Sequence, residues 1–276
     1  IAKHNYNMTN ASNTAVASIS WSSEGNVASV LISNCGHLNA INVAMWGQLK
    51  ECFRQISARD DLRLVVIRGA PGAFAAGADI AEFKRVRLNR DQVRHYHEEM
   101  IAPALASVAN CPIPVLAAID GPCVGGGLEI ASVCDLRIAT DRSRFGIPIL
   151  RLGFPLAPTE AVGLVSLVGK AVALEILLEG RIMDAEEAYD KGLVNRIMPL
   201  SMWEDELAAT INRIVTGAPH AAKRNKWLIN RLSAIHDHEI LSPQQREACW
   251  DFVETQDYVR GIDAFLSKTA PKFENN

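Results

Sequence analysis

The stretch Val115 to Asp135, VLAAIDGPCVGGGLEIASVCD, combines residue types that could hold and move charge on a small ligand. An apolar run that reads as a buried strand ends at Asp120. The glycines after it permit a tight turn with close backbone approach, and a helix begins near Gly126. A helix start whose first residues lack Cβ atoms can set an unpaired amide and the positive dipole end against a ligand oxygen. Glu129 follows about one turn later, so its carboxylate stands over the same face. Three glycines after a strand can equally be a plain turn packed against a neighbour. Glu129 is harder to dismiss, because its neighbours are almost all apolar and a carboxylate is seldom buried without a purpose or a partner.

A second small-residue segment, Gly72 to Phe83 (GAFAAGADIAEF), follows the apolar run Leu64 to Arg68. Its residues Ala75 to Ala78 again allow close backbone approach, and Asp79 is placed to cap the helical stretch behind it. Two such loops could supply two N–H donors to one oxygen, an oxyanion hole. Losing one donor of that kind costs about 3 kcal/mol in the transition state. A dinucleotide-binding turn is the natural rival, with Asp141 about twenty residues on, but its glycine spacing fails: Ile130 stands where the third glycine belongs. No GxSxG elbow occurs. His95 with His97, and His236 with His238, lie in polar helical surroundings without ligand-spaced partners and read as solvated surface, so no metal site is expected. Glu160, near the start of a helix, reads first as a first-turn carboxylate complementing the helix dipole, with a substitute acid as the alternative.

The elements that must position these groups alternate. Short β runs (Ala15 to Trp21, Val27 to Ser33, Leu64 to Arg68, Val115 to Ile119, Leu136 to Ala139, Val194 to Ile197) are interleaved with helical periodicity at Ile41 to Ser57, Gln92 to Ala109, Leu128 to Cys134, Thr159 to Val168, Ala171 to Leu178 and Ala185 to Lys191. An α/β layered core follows. After about Val215 the strands stop, and three helical stretches carry Trp227, Leu228, Ile235, Trp250, Phe252, Val253, Ile262, Phe265 and Leu266. That is more apolar surface than three short helices hide among themselves, so packing onto another subunit is expected, with both tryptophans in the interface core.

The chain has 276 residues, 49% apolar and 21% charged, which excludes a disordered or collagenous chain. Lys plus Arg is 28 against 31 for Asp plus Glu, a net charge of −3 with no single-sign block, so a nucleic-acid partner is not expected. The longest apolar stretches are interrupted by prolines or by Lys170 and Glu175 and do not read as membrane spans. Residues 1–13 read as a loose polar tail without secretory or transit features, and the six cysteines form no CxxC pair. A reduced, cytoplasmic setting is the expectation.

Five motifs, GAFAAGADIAEF, AAIDGPCVGGGLEIASVCDLRIA, FGIPILRLGFP, GKAVALEILLEGRIMDAEEAYDKGLVNRIMP and DAFLSKTAPKF, stand in one register over Thr14 to Phe273. Together they resemble the enoyl-CoA hydratase/isomerase (crotonase) superfamily. The resemblance implies an α/β fold of the crotonase-like (ClpP/crotonase) type: a superhelix of ββα repeats over residues 14–215, with a C-terminal helical trimerisation region over 216–276. It also implies a homotrimer or a hexamer of two trimers, and an acyl-CoA thioester substrate with no separate cofactor. By motif match the thioester oxygen donors are the backbone amides of Ala78 and Gly126, and Glu129 is the first family glutamate. The adenosine end of coenzyme A is implied to run along His37 and Leu38 and the strip Ala76 to Ile80, which includes Asp79. Phe265 and Lys268 match contacts offered by a neighbouring subunit, Lys268 meeting a phosphate as a point charge.

One departure matters. Where hydratases of the family carry a second glutamate, this chain has Ile149, and no acid occurs between Asp141 and Glu160. Hydration of crotonyl-CoA is therefore expected to be slow. Three readings follow from the sequence. Glu129 alone could shift a double bond or slowly add water. With Ile149 facing the acyl chain, decarboxylation or carbon–carbon cleavage could proceed through the enolate. The chain could also bind a coenzyme A thioester, or assemble with partners, without turnover.

Overall fold

The structure, a computed structural model, describes residues 16–233, 242–271 and 273. The expected N-terminal tail, Ile235, and the pair His236 and His238 lie outside the described residues.

A six-stranded sheet forms the centre, in the order β1 (Ser18–Glu24), β2 (Val27–Ser33), β3 (Leu64–Gly69), β4 (Val115–Ile119), β6 (Leu136–Thr140) and β8 (Arg196–Met198). β1 and β2 pair as an antiparallel hairpin, closed at Gly25 with φ +55°, and every later pairing is parallel. The hairpin is tighter than the sequence indicates because β1 runs on through Ser22 and Ser23 to Glu24. β4 is buried at every position, as a strand covered on both faces must be. A second, two-stranded parallel sheet pairs β5 (Pro122–Val124) with β7 (Arg144–Gly146). Neither of these three-residue strands is long enough to show a period in sequence.

Helix α1 (Val43–Ser57) begins at Asn42, whose side chain accepts from the Met45 amide, and it buries Met45, Trp46, Leu49, Cys52, Phe53 and Ile56, spaced three and four apart. α2 (Phe83–Val86) and α3 (Arg90–Arg94) lead into a π-helical turn, His95–Ile101, and then α4 (Ala102–Ala109). In that turn the Ala102 amide bonds to the His97 carbonyl, five residues back. Pro103 follows immediately; it has no N–H for the Glu99 carbonyl, and the widened turn absorbs the mismatch. α5 (Gly126–Ser132) is entirely buried.

α6 (Pro158–Glu179) is long and apolar enough, by length and composition, to cross a membrane. It is not a continuous rod, because Gly169 inside it has φ +73° and ψ 172°, and Glu160, Leu164, Ala173 and Ile176 face the core. α7 (Ala185–Asp190) and α8 (Trp203–Val215) complete the part built around the sheet.

The C-terminal helices are α9 (Pro219–Ser233), α10 (Pro243–Ala248) and α11 (Gln256–Leu266). They divide the apolar set in two. Trp250, Phe252, Val253 and Ile262 are buried within this chain, which corrects the expectation that they serve another subunit. Trp227, Leu228, Phe265 and Leu266 remain exposed, and α9 buries none of its residues.

Candidate active site

Two loops meet at the ends of β3 and β4. The first is stitched to β5: the amides of Phe74 and Ala75 donate to the Pro122 carbonyl at 2.9 and 3.0 Å, and the Val124 amide returns a bond to the Ala75 carbonyl at 2.9 Å. Glycines let the backbones touch. A Cβ built on Gly125 would lie 3.4 Å from the Gly77 Cα, and both residues have positive φ, +50° and +107°. At Gly127 a Cβ would come within 2.3 Å of the Ala75 carbonyl oxygen, so only glycine fits there.

This junction determines where Ala78 and Gly126 point. Ala78 sits in a parallel bridge opposite Ile41, in which its neighbours carry the bonds: Ile41 donates to Gly77 at 2.7 Å and Asp79 donates to Ile41 at 2.9 Å. The Ala78 amide is therefore turned away from that bridge. Gly126 is the first residue of α5, where an amide has no acceptor within its own helix. Among the described residues neither amide donates to another backbone group. Asp79 caps the following 3-10 turn, accepting from the Ala81 amide at 3.1 Å, as its sequence position indicates.

Glu129 is in the first turn of α5 and is 7% exposed. Behind α5, the buried Arg137 donates to the carbonyls of Cys134 at 2.6 Å and Ala131 at 3.3 Å, and to Leu193 at 3.0 Å. A cation at the carbonyl end of the helix complements its dipole and fixes the platform that carries Glu129. Burial pushes the Glu129 carboxyl well above the usual range, and the negative charge of Glu160 adds to that, while Arg87 opposes it.

Glu160 is where the sequence expectation needs correcting. It does lie in the first turn of α6, but it is 4% exposed and makes a hydrogen bond to a histidine rather than facing solvent. His97, expected on the surface, is 2% exposed. Its Nε2 lies 2.6 Å from the Arg87 guanidinium and its Nδ1 lies 2.5 Å from Glu160 Oε1. Arginine has only donors, so Nε2 must accept; the ring proton is then on Nδ1 and is donated to Glu160. Burial and the Arg87 charge keep His97 well below its ordinary pKa, consistent with a neutral ring. Burial raises Glu160 from 4.5 to about 7, against the pull of Arg87.

Aromatic rings hold this chain. The Arg87 guanidinium carbon lies 3.8, 4.5 and 4.9 Å from the ring centres of Phe83, Tyr96 and Phe154. Trp250 stacks on His97 with ring centres 5.5 Å apart, so it supports the site instead of an interface. Exposed ion pairs Lys84 to Asp263 and Arg90 to Glu254 tether the segment bearing Arg87 to the C-terminal region. Sequence reasoning missed His97 although a signal existed: Val93, His97 and Ile101 recur at spacing four, all buried. Glu160 and Leu164 give the same signal on α6. Arg87 lies past the end of a four-residue helix and had none.

The linkage has a measurable sign. Between pH 4.5 and about 7 folded Glu160 keeps a proton that the unfolded chain has released, so raising the pH through that window favours unfolding. Glu160→Gln removes the effect. Thermal melts should show wild type losing several degrees relative to this variant as pH rises from 4.5 to 7.5; parallel curves would contradict the raised carboxyl.

The other implied contacts are distributed as follows. His37 and Leu38 are exposed, Leu38 in the left-handed region with φ +49°, and its carbonyl accepts from the Ala76 amide at 3.0 Å. Ile80 is buried, and Ile149 is buried in the 3-10 turn Pro148–Leu152. Phe265 and Lys268 are exposed near the C-terminal end. Among the described residues no group of three His, Cys, Asp or Glu side chains could hold a metal ion.

The architecture is that of the crotonase fold. A crystal structure of an enoyl-CoA hydratase/carnithine racemase from Magnetospirillum magneticum superimposes with a TM-score of 0.77 at 42% identity, covering 94% of this chain and 96% of that one. An enoyl-CoA hydratase from Bacillus anthracis gives 0.72 at 28% identity, with 94% and 99% covered. The mitochondrial Δ(3,5)-Δ(2,4)-dienoyl-CoA isomerase of Rattus norvegicus is 29% identical over 263 residues, 91% of this chain and 80% of that protein. The enoyl-CoA hydratase/isomerase family model matches residues 22–276. The chain belongs to that family, and it is an enzyme of the hydratase/isomerase type.

Proposed function

We propose that this enzyme acts on an acyl-CoA thioester through an enolate whose oxygen is held by the amides of Ala78 and Gly126, with Glu129 transferring the proton at the carbon next to the carbonyl. The observation that carries this is the pair of glycine loops in backbone contact, which leaves those two amides without a backbone acceptor beside a buried carboxylate. Removing a proton beside a thioester, or adding a nucleophile one carbon further out, puts negative charge on the carbonyl oxygen. Two preorganised donors stabilise that charge most when it is fully developed. Burial raises the pKa of Glu129, which makes its ionised form a stronger base toward the α-hydrogen and its acid form a ready donor back to the enolate carbon.

The coenzyme lies along His37, Leu38, Ala76, Asp79 and Ile80, and Ile149 faces the acyl chain. Phe265 and Lys268 come from a neighbouring subunit of a homotrimer, single or paired as a hexamer. The uncovered apolar side chains of α9, Trp227, Leu228, Ile229 and Leu232, supply the surface such an assembly needs. No cofactor beyond the coenzyme of the substrate is required, and the protein works in the cytoplasm.

The test is exchange. Butyryl-CoA, which has no double bond, should lose its α-hydrogens to D2O in the presence of the enzyme, followed by NMR. Absence of both exchange and turnover across saturated, 2-enoyl and 3-enoyl thioesters would refute the assignment.

A further inference from the structure

The buried chain Arg87, His97, Glu160 has no part in the enolate step, yet it places three ionisable side chains inside the protein, which costs free energy unless they are fully partnered. We propose that Glu160 is the second catalytic carboxylate of this enzyme, the base that activates water for addition to a 2-enoyl thioester, and that His97 and Arg87 are the residues that position it. This rests on the function proposed above and deepens it.

Four observations converge. Glu129 and Glu160 come from α5 and α6, which pack directly: a Cβ on Gly163 of α6 would lie 3.0 Å from Val133 Cγ1 at the end of α5. The charge on Glu160 is felt by Glu129. His97 presents a donor N–H to Oε1 of Glu160, a contact that favours the ionised carboxylate. Ile149 is apolar, so the loop at that position supplies no acid.

The chemistry balances with water as the only co-reactant. The Glu160 carboxylate takes a proton from water as the water oxygen bonds to C3. The C2–C3 π electrons become the C1–C2 π bond of the enolate, and the carbonyl π pair moves to the thioester oxygen held by Ala78 and Gly126. The carbonyl then reforms as C2 takes the proton of the Glu129 carboxylic acid. Glu160 ends protonated and Glu129 ionised, and one proton passing from the former to the latter restores the start. The expectation from sequence, slow hydration for want of a second acid, is thereby reversed.

The experiment compares two readouts on the full-length protein: hydration of 2-enoyl-CoA thioesters from C4 to C16, and α-hydrogen exchange of butyryl-CoA. Wild type should hydrate at least one of them. Glu160→Gln should lower its kcat at least a hundredfold with KM within a few fold, while exchange is retained or raised. His97→Ala should lower kcat about tenfold or more and move the acid limb of the pH profile to higher pH, because Glu160 loses its donor. His97→Gln, which can still accept from Arg87 and donate to Glu160, should restore most of the rate. The titratable and charged groups around Glu160 in that profile are Glu129, His97, Arg87 and Tyr96. Hydration by Glu160→Gln at the wild-type rate would overturn the proposal, as would equal loss of hydration and exchange in a variant that melts normally. Wild-type exchange without hydration of any 2-enoyl thioester would overturn it too, whereas loss of exchange and of all turnover would instead bring down the enolate reading beneath it.

Discussion

Glu129→Gln is expected to lower turnover of an enoyl thioester at least a hundredfold while thioester affinity stays within a few fold. The amide has the shape of the carboxyl but cannot take up or release a proton, so the variant isolates proton transfer from packing. The fold should tolerate it well. Burial and the neighbouring Glu160 charge already favour the uncharged form of Glu129, which glutamine imitates, so the melting temperature should hold or rise. Steady-state kinetics with titration of a non-reacting saturated thioester measure both halves. Undiminished turnover would remove Glu129 from the mechanism, and a parallel collapse of affinity would make it a structural residue.

Gly127→Ala is expected to lower both stability and activity. The added carbon would lie 2.3 Å from the Ala75 carbonyl oxygen and 2.9 Å from the Ala75 Cβ, and the closest obstacle is backbone, which cannot rotate aside. The first loop and α5 must separate, and they carry Ala78 and Gly126. Overpacking of this kind costs about 1–3 kcal/mol, so the melting temperature should fall by roughly 3–10 °C. Displacing a donor by about 1 Å can cost about a hundredfold in rate, so activity should fall further than stability alone explains. Gly126→Ala is the comparison for stability alone. Its Cβ would meet side chains rather than backbone, the edge of the Trp46 ring at 3.1 Å and Ile41 Cδ1 at 3.7 Å, so the two loops need not separate. If Gly127→Ala proved as active and as stable as wild type, the close approach of the two loops would not be what aligns the amides.

The central parallel strands were legible because a strand buried on both faces must be apolar throughout, as Val115 to Ile119 is. The start of α1 was visible to within two residues from its three-and-four apolar spacing, although the cap at Asn42 that fixes it was not read. The break in α6 was legible as well: two helical runs with a glycine between them read as two helices, and Gly169, with φ +73° and ψ 172°, divides the element into two helical segments there. The π turn at His95–Ile101 was not legible: its cause, the missing N–H of Pro103, sits a full turn downstream of its effect on His97.

Set against the family's motif, the sequence shows the apolar Ile149 where a second acid belongs; by itself it determined the local chemistry, namely glycines where two backbones must touch and an acid one turn into a buried helix. These follow from neighbours along the chain, whose spacing directly sets conformation and side-chain facing. Only the tertiary structure decided that Glu160, His97, Arg87 and Trp250 form one cluster, because Glu160, 63 positions from His97, and Trp250 are brought to the ring by packing of separate elements, and Arg87, ten positions before it, reaches it from the end of another helix. No local spacing encodes that distance, and burial turns a surface carboxylate into an acid–base group only after the helices have closed over it.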